Sequence, residues 1–293
     1  MLRMLLIGKN GQLGWELQRT LSTLGKLTCV DHPEIDLADS KSLRTLIQSV
    51  APQIIINAAA YTNVDKAESE PELAFKINSE APAVMAQEAR NLNGALIHYS
   101  TDYVFDGTKG ADYVESDTPR PLNVYGKSKL EGEQRVMEAG GTFLILRTSW
   151  VYSMRKGGFV IKVLQWAHQQ QTLHIVDDQT GSPTSSRMLA EATTQVLAQG
   201  RNEAVRYLAA YTGLYHLAGA GSASRYEWAQ QILALDPNRE RQTVKELVPA
   251  KTSEFPSAAE RPEQTGLSVQ KFEDTFGLKI PPWQESLRLL LGG

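Results

Sequence analysis

Apolar residues fall in short, nearly continuous runs through the first half of the chain, at residues 4–7, 27–30, 54–57, 95–99 and 143–147. Strands buried on both faces need apolar side chains at consecutive positions, so each run predicts an inner strand of a parallel sheet. Amphipathic stretches at 12–24, 40–50, 71–91 and 124–139 separate them and predict helices. Strand and helix in alternation give an α/β fold, a Rossmann-type doubly wound parallel sheet. Beyond residue 150 or so the rhythm loosens, with a strand expected at 215–218, helices at 185–197 and 224–234, and a last short helix after Pro281-Pro282-Trp283. This change predicts a smaller C-terminal α/β lobe.

Glycines punctuate the first strand-to-helix junction. Gly8, Gly11 and Gly14 follow residues 4–7 in a Gly-x-x-Gly-x-x-Gly spacing and open the first helix. Small residues there permit a tight turn, and the helix N-terminus offers N–H groups to a pyrophosphate. Asp31, 17 positions beyond Gly14 at the end of the second strand, is placed to accept hydrogen bonds from a ribose, or to act as a turn residue before Pro33. Its carboxylate disfavours a 2′-phosphate while Lys9 in the loop can offset it, so NADH and NADPH both stay open. Residues 1–152 thus read as an NAD(P)-binding unit, to which segments at about 184–215 can return, and 153–293 as mainly a substrate lobe.

Tyr125 and Lys129 lie four apart within the predicted helix 124–139, so both side chains project from one face. A phenol beside an ammonium is a tunable proton donor, the positive charge favouring the phenolate. Tyr152 and Lys156 share the spacing but follow a strand pattern and precede Gly157-Gly158, where it does not bring them together. Thr101, at the C-terminal edge of the fourth strand, can hold a substrate carbonyl or serve as a cap.

Composition narrows the alternatives. With 42% hydrophobic and 22% charged residues and a net charge of −3, the chain shows no basic surface for nucleic acid. Its first apolar run stops at Gly8, too short for a signal peptide or membrane span. The single cysteine, Cys29, suits a reducing compartment, and a cytoplasmic location is expected.

Four segments carry a family resemblance: Asn57-Ala-Ala-Ala-Tyr-Thr-Asn-Val-Asp-Lys-Ala-Glu68, His98-Tyr-Ser-Thr-Asp-Tyr-Val-Phe105, Pro121-Leu-Asn-Val-Tyr-Gly126 and Arg147-Thr-Ser-Trp-Val-Tyr152. With the Gly8 loop they make the chain similar to extended short-chain dehydrogenases/reductases, and more narrowly to the dTDP-4-dehydrorhamnose reductase family. That resemblance implies NAD(P)H-dependent reduction of the 4-keto group of dTDP-4-dehydro-β-L-rhamnose, supplying dTDP-β-L-rhamnose for cell-surface polysaccharide. It implies catalysis by Tyr125, Lys129 and Thr101. It also implies a cofactor surface of Gly8, Gly11, Gln12, Leu13, Gly14, Asp31, Asp36, Leu37, Ala60, Tyr61, Thr62 and Tyr99, joined by Tyr125 and Lys129. Thr101, Asp102, Trp150, Val64 and Asn123 would face the sugar, and Arg261 would meet the nucleotide diphosphate. Around Arg261-Pro262 the chain departs from the family, with Glu260 before and Glu263-Gln264-Thr265 after.

Members of the family are often described as Mg²⁺-dependent homodimers. Glu16 and Glu191 could supply oxygens, but no acidic cluster with ligand spacing assigns a metal residue. Sugar-nucleotide dehydratases follow the threonine with Asp-Glu, whereas here Asp102 precedes Tyr103. Epimerases share the layout, and regulatory subunits of S-adenosylmethionine synthetase retain such a pocket without turnover.

Overall fold

The computed structural model describes residues 1–155 and 157–292. In chain order its first half runs β1 (Leu2–Ile7), α1 (Gln12–Leu21), β2 (Gly25–Val30), α2 (Ser40–Val50), β3 (Ile54–Asn57), α3 (Val64–Ser69), α4 (Pro71–Phe75), α5 (Ala81–Asn91), β4 (Ala95–Thr101), α6 (Val124–Ala139) and β5 (Thr142–Thr148). The remainder runs β6 (Val151–Tyr152), α7 (Phe159–Ala167), β7 (Thr172–Val176), β8 (Thr180–Gly181), β9 (Thr184–Ser185), α8 (Ser186–Gln199), α9 (Ala204–Ala210), β10 (Gly213–His216), β11 (Ala223–Ser224), α10 (Arg225–Ala234), β12 (Glu246–Ala250), α11 (Gln270–Phe276) and α12 (Trp283–Leu291). Every strand expected in the first half is present, and the expected strand at 215–218 forms two residues earlier.

Six parallel strands make one sheet in the order β10-β5-β4-β3-β1-β2. The chain moves outward from β1 to β2, then returns to β3 on the other side. That reversal leaves a crevice at the carboxyl ends of β1 and β3. Alternation sorts the strand residues between two cores. Leu6, Ile56, Ile97, Leu144 and Leu146 pack with Leu17 of α1, Leu189 of α8 and Leu208 of α9. Leu5, Ile55, Leu96 and Ile145 pack on the opposite face with Leu43 of α2, Met85 of α5 and Val136 of α6.

A third apolar cluster, Tyr152, Val160, Leu173, Trp228, Trp283 and Leu287 among others, holds the C-terminal lobe. There β12 pairs in parallel with β7. Ser224 and Glu227 form a reciprocal capping box at the start of α10, which fixes where that helix enters the lobe. Among the described residues, no helix is long and apolar enough to cross a membrane.

The single helix expected over 71–91 is divided. Lys76–Glu80 forms a π-helical turn between α4 and α5, and that wider turn sends Asn78 inward. Its side chain accepts the Tyr61 N–H at 2.8 Å and donates to the Tyr61 carbonyl at 3.1 Å and to Ser128 of α6 at 3.0 Å. Propensity does not foretell such a turn, because the gain is tertiary.

Facing α6, the sheet carries polar residues where alternation calls for apolar ones. Arg147 of β5 donates to Glu133 of α6 through Nε at 2.9 Å and Nη2 at 2.6 Å, with both side chains buried. Removing one partner of such a pair strands the other charge. Arg147→Leu should therefore lower unfolding free energy by about 3–5 kcal/mol, read as a fall in the urea midpoint. Wild-type stability in that variant would remove the pair from any structural role.

Candidate active site

The carboxyl ends of β1, β3, β4 and β5 open on a cavity of about 580 Å³. Gly8 turns the chain off β1 with φ +94°, and a Cβ there would sit 2.8 Å from the Ala58 carbonyl carbon and Ala59 nitrogen. Only glycine lets the loop lie this close to the end of β3. At Gly14 a Cβ would come within 1.9 Å of the Gly8 oxygen, so α1 seats directly behind the loop. Gly11 caps α1 without a side chain, leaving the helix's first N–H groups, including those of the cavity residues Gln12 and Leu13, for an anion. Asp31 lines the same cavity and accepts the Asn10 and His32 N–H groups, each at 2.8 Å. Lys9 pairs with Glu34 at 2.6 Å, so it does not offset Asp31 as the sequence had suggested.

The facing wall is α6. Asn123 caps it by accepting the Gly126 N–H at 2.8 Å, and donates to the Glu260 carbonyl at 2.8 Å. At Gly126 a Cβ would meet the Tyr103 oxygen at 2.2 Å, so the helix packs tightly on the turn after β4. Tyr125 and Lys129 both reach the cavity from this helix. The Lys129 ammonium donates to the Tyr99 carbonyl at 2.7 Å, and its burial pulls its pKa down to about 8. Burial pushes the Tyr125 phenol up, against the pull of the Thr101 hydroxyl. The lowering of Tyr125 by Lys129 inferred from spacing is not what the structure shows: burial dominates, and the group that pulls the phenol down is Thr101.

Thr101 sits where β4 ends, donating to Asp102 Oδ1 at 3.0 Å and accepting the Tyr103 N–H at 3.1 Å. Buried Asp102 also accepts from Ser149 at 2.8 Å and from Thr265 at 2.6 Å. Its burial raises the carboxyl pKa and the three hydroxyls pull it back. In this arrangement the Thr101 hydroxyl stands within reach of both Asp102 and the Tyr125 phenol.

Trp150 lines the cavity with φ +43°, a left-handed conformation costly for a bulky residue and held here by packing. Its ring stacks on Trp228 at 5.6 Å between centroids, and the Arg225 guanidinium lies 3.6 Å above it.

The cavity wall thus joins Gly8, Gly11, Gln12, Leu13, Asp31, Ala60, Thr62, Tyr99, Thr101, Asp102, Tyr125, Lys129 and Trp150. Seven expected residues lie off it. Gly14 packs behind the loop, and exposed Asp36 accepts the Ala38 N–H in a turn. Leu37 packs against the α2 and α5 core. Tyr61 donates its hydroxyl to Glu70 at 2.7 Å, Val64 starts α3, and Asn123 is occupied as a cap. Arg261 is ion-paired with Asp65 at 2.7 Å. It lies instead beside a second cleft shared with Arg225, Gln179 and Thr252. Of the spacing set aside earlier, Tyr152 is core, and Lys156 lies outside the described residues.

Sequence reading missed Ala58, Ala59, Ser100, Thr148, Ser149, Val151 and Gly157 on the wall. Most of them end or directly follow a predicted strand, so extending those strands to the sheet edge would have found them. Thr265 and Arg225 gave no such signal. Ser100 Oγ and Thr148 Oγ1 are buried without a hydrogen-bond partner, which fits a polar ligand in this cavity. Glu16 and Glu191 both act on Arg187, Glu191 accepting its Nε at 2.8 Å. Among the described residues no group of three His, Cys, Asp or Glu side chains is arranged to hold a metal.

Because Lys129 binds its proton more weakly folded than unfolded, stability should rise with pH from about 8 to the ordinary lysine value near ~10.4. Lys129→Met should remove that slope and stabilise the protein at neutral pH by on the order of 1–3 kcal/mol. Denaturant titrations across this range check both, and an unchanged slope would contradict the burial argument.

Residues 2–292 match the family described as the RmlD substrate binding domain. The chain is 39% identical over 292 residues to dTDP-4-dehydrorhamnose reductase of Burkholderia thailandensis, covering 98% of this chain and 97% of that protein. Among solved structures, the Clostridium acetobutylicum dTDP-4-dehydrorhamnose reductase aligns with TM-score 0.88 at 33% identity, over 98% of each chain. The Bacillus anthracis enzyme, solved in complex with NADP, aligns with TM-score 0.87 at 32% identity over 99% of each. With its glycine loop, its Tyr125/Lys129 helix and this full-length likeness, the chain belongs to the dTDP-4-dehydrorhamnose reductase family.

Proposed function

We propose that this protein reduces the 4-keto group of dTDP-4-dehydro-β-L-rhamnose to dTDP-β-L-rhamnose with NADPH or NADH. The observation that carries the reading is that Tyr125 and Lys129 line one cavity with the Gly8 loop and with Thr101 at the end of β4. The nicotinamide supplies hydride to the keto carbon. As charge develops on the keto oxygen, Tyr125 is the group able to protonate it, its high pKa keeping it a phenol until then. Lys129 lies one helical turn away, and burial pulls its pKa down to about 8, which suits it to return the proton. Thr101, bonded to Asp102, which Ser149 and Thr265 hold in turn, helps to fix the oxygen's approach.

The Gly8 loop and the bare N-terminus of α1 suit the cofactor's pyrophosphate, and Asp31 suits an adenosine ribose hydroxyl. With Lys9 committed to Glu34 the loop itself favours NADH, while the Bacillus anthracis relative is in complex with NADP. Arg225 has no acidic partner among the described residues, and burial lowers its pKa only to about 10, so it remains a cation. Beside Arg261 in the second cleft it suits the sugar nucleotide's diphosphate. On this reading residues 1–152, with the later strand β10 and helices α8 and α9, carry the cofactor, and most of 153–293 carries the sugar nucleotide. The protein then works in the cytoplasm, in keeping with its one free cysteine.

Loss of reduced-nicotinamide absorbance with enzymatically prepared dTDP-4-dehydrorhamnose, and chromatography of the product against dTDP-rhamnose, test the reaction and rank the two cofactors. Tyr125→Phe should lower kcat by about 10²–10⁴-fold with cofactor binding kept. Arg225→Met should raise KM for the sugar nucleotide by about 10–100-fold, the worth of a charged hydrogen bond. Unchanged turnover in the first variant would remove Tyr125 as the acid.

A further inference from the structure

His98 occupies the middle of β4 on the face that packs against α6, at a position where alternation places Leu96 in the core. It is completely buried, and its neighbour in register on β3 is the equally buried Asn57. A buried polar pair of this kind must be satisfied, and the way it is satisfied fixes a proton. Asn57 Oδ1 accepts the Ala59 N–H at 3.1 Å, which turns the amide so that Nδ2 faces His98 Nδ1 at 3.0 Å. An amide nitrogen only donates, so Nδ1 must present its lone pair and the ring proton must sit on Nε2. Nε2 faces Lys129 Nζ at 3.4 Å.

An N–H aimed at an ammonium is unfavourable, whereas the same N–H can be accepted by a neutral amine. We propose that His98, locked by Asn57 as the Nε2–H tautomer, is a positioning residue that loosens the proton of Lys129 and so sets the pH at which this amine exchanges it.

Other groups around this face are accounted for. α6 packs on β4, β5 and the turn after β4, and also on α3, α4, α5 and the π turn, where Asp65 is paired with Arg261, Lys66 with Glu70 and Glu88 with Arg44, and Glu68 accepts the Val124 N–H; along its own length it carries Tyr125 and Glu133. Glu133 favours the ammonium, but both its oxygens are taken by Arg147 of β5. Asp102 is held by three hydroxyls and Tyr103 packs edge-on to Tyr125. Among the described residues, the acceptor that Lys129 has is the Tyr99 carbonyl. Burial together with Lys129 keeps the imidazole itself neutral, its pKa well below the ordinary histidine value.

The proposal rests on the Tyr125/Lys129 reading for its catalytic meaning, but its test needs neither substrate nor turnover. On full-length ¹⁵N- and ¹³C-labelled protein, long-range ¹H–¹⁵N spectra of His98 should show a protonated Nε2 and a bare Nδ1. The Lys129 ¹³Cε resonance, assigned by its loss in Lys129→Met, should titrate below an ordinary lysine, and in His98→Leu its midpoint should rise by about one pH unit. The basic limb of kcat/KM should move up with it. An Nδ1–H tautomer or an imidazolium near neutrality in the wild type would overturn the proposal even if His98→Leu does not fold, and so would an unmoved Lys129 midpoint. Absence of dTDP-4-dehydrorhamnose reduction, with these spectra as expected, would count against the substrate alone.

Discussion

Burying a lysine and a glutamate one turn apart on a single helix is the constraint around which this protein is organised. Both Lys129 and Glu133 of α6 lie against the sheet, and water solvates neither. Each must be answered from the strands: Glu133 by the bidentate Arg147, Lys129 by a single carbonyl, with an imidazole facing it that does not accept. The two answers differ in kind. The glutamate is fully compensated and acts as a structural anchor, whereas the lysine is left short of partners and its proton is weakly held. Stability at one turn of the helix thus permits reactivity at the turn before it.

The dependence runs outward from there. For α6 to come this close, Gly126 must meet the Tyr103 carbonyl and Gly132 the Asn78 carbonyl without side chains between them. Asn78 reaches that position from the π turn between α4 and α5 and also holds the Tyr61 backbone. The segment after β3, which forms part of the cavity wall, is in this way placed by the same helix that carries Tyr125 and Lys129.

The sheet was legible because its strands are buried on both faces, a condition that writes itself into runs such as Ile54-Ile55-Ile56. The helix bearing Tyr125 and Lys129 was equally legible, its observed bounds matching the expected 124–139, since Asn123 and Gly140 mark its ends. The site was read best where motif and strand end coincide, as at Gly8, Thr101 and Trp150. It was read worst where a residue's position depends on contacts distant in sequence. Asn123 and Arg261 have polar side chains suited to a sugar nucleotide, yet one is used as a helix cap and the other in an ion pair with Asp65. The sign of the Tyr125 shift was misjudged for the same reason: spacing reveals the neighbouring charge but not the burial that outweighs it.

The link from Thr265 to Asp102 has a consequence for the order in which the protein comes into being. Every strand of the six-stranded sheet precedes residue 217, so a chain still emerging from the ribosome can complete the sheet, the glycine loop and α6 while Thr265 is unmade. Until it arrives Asp102, the partner of the Thr101 hydroxyl, lacks one of its three hydroxyl donors. The cluster around Asp102 is therefore completed by one of the last segments of the chain to be made.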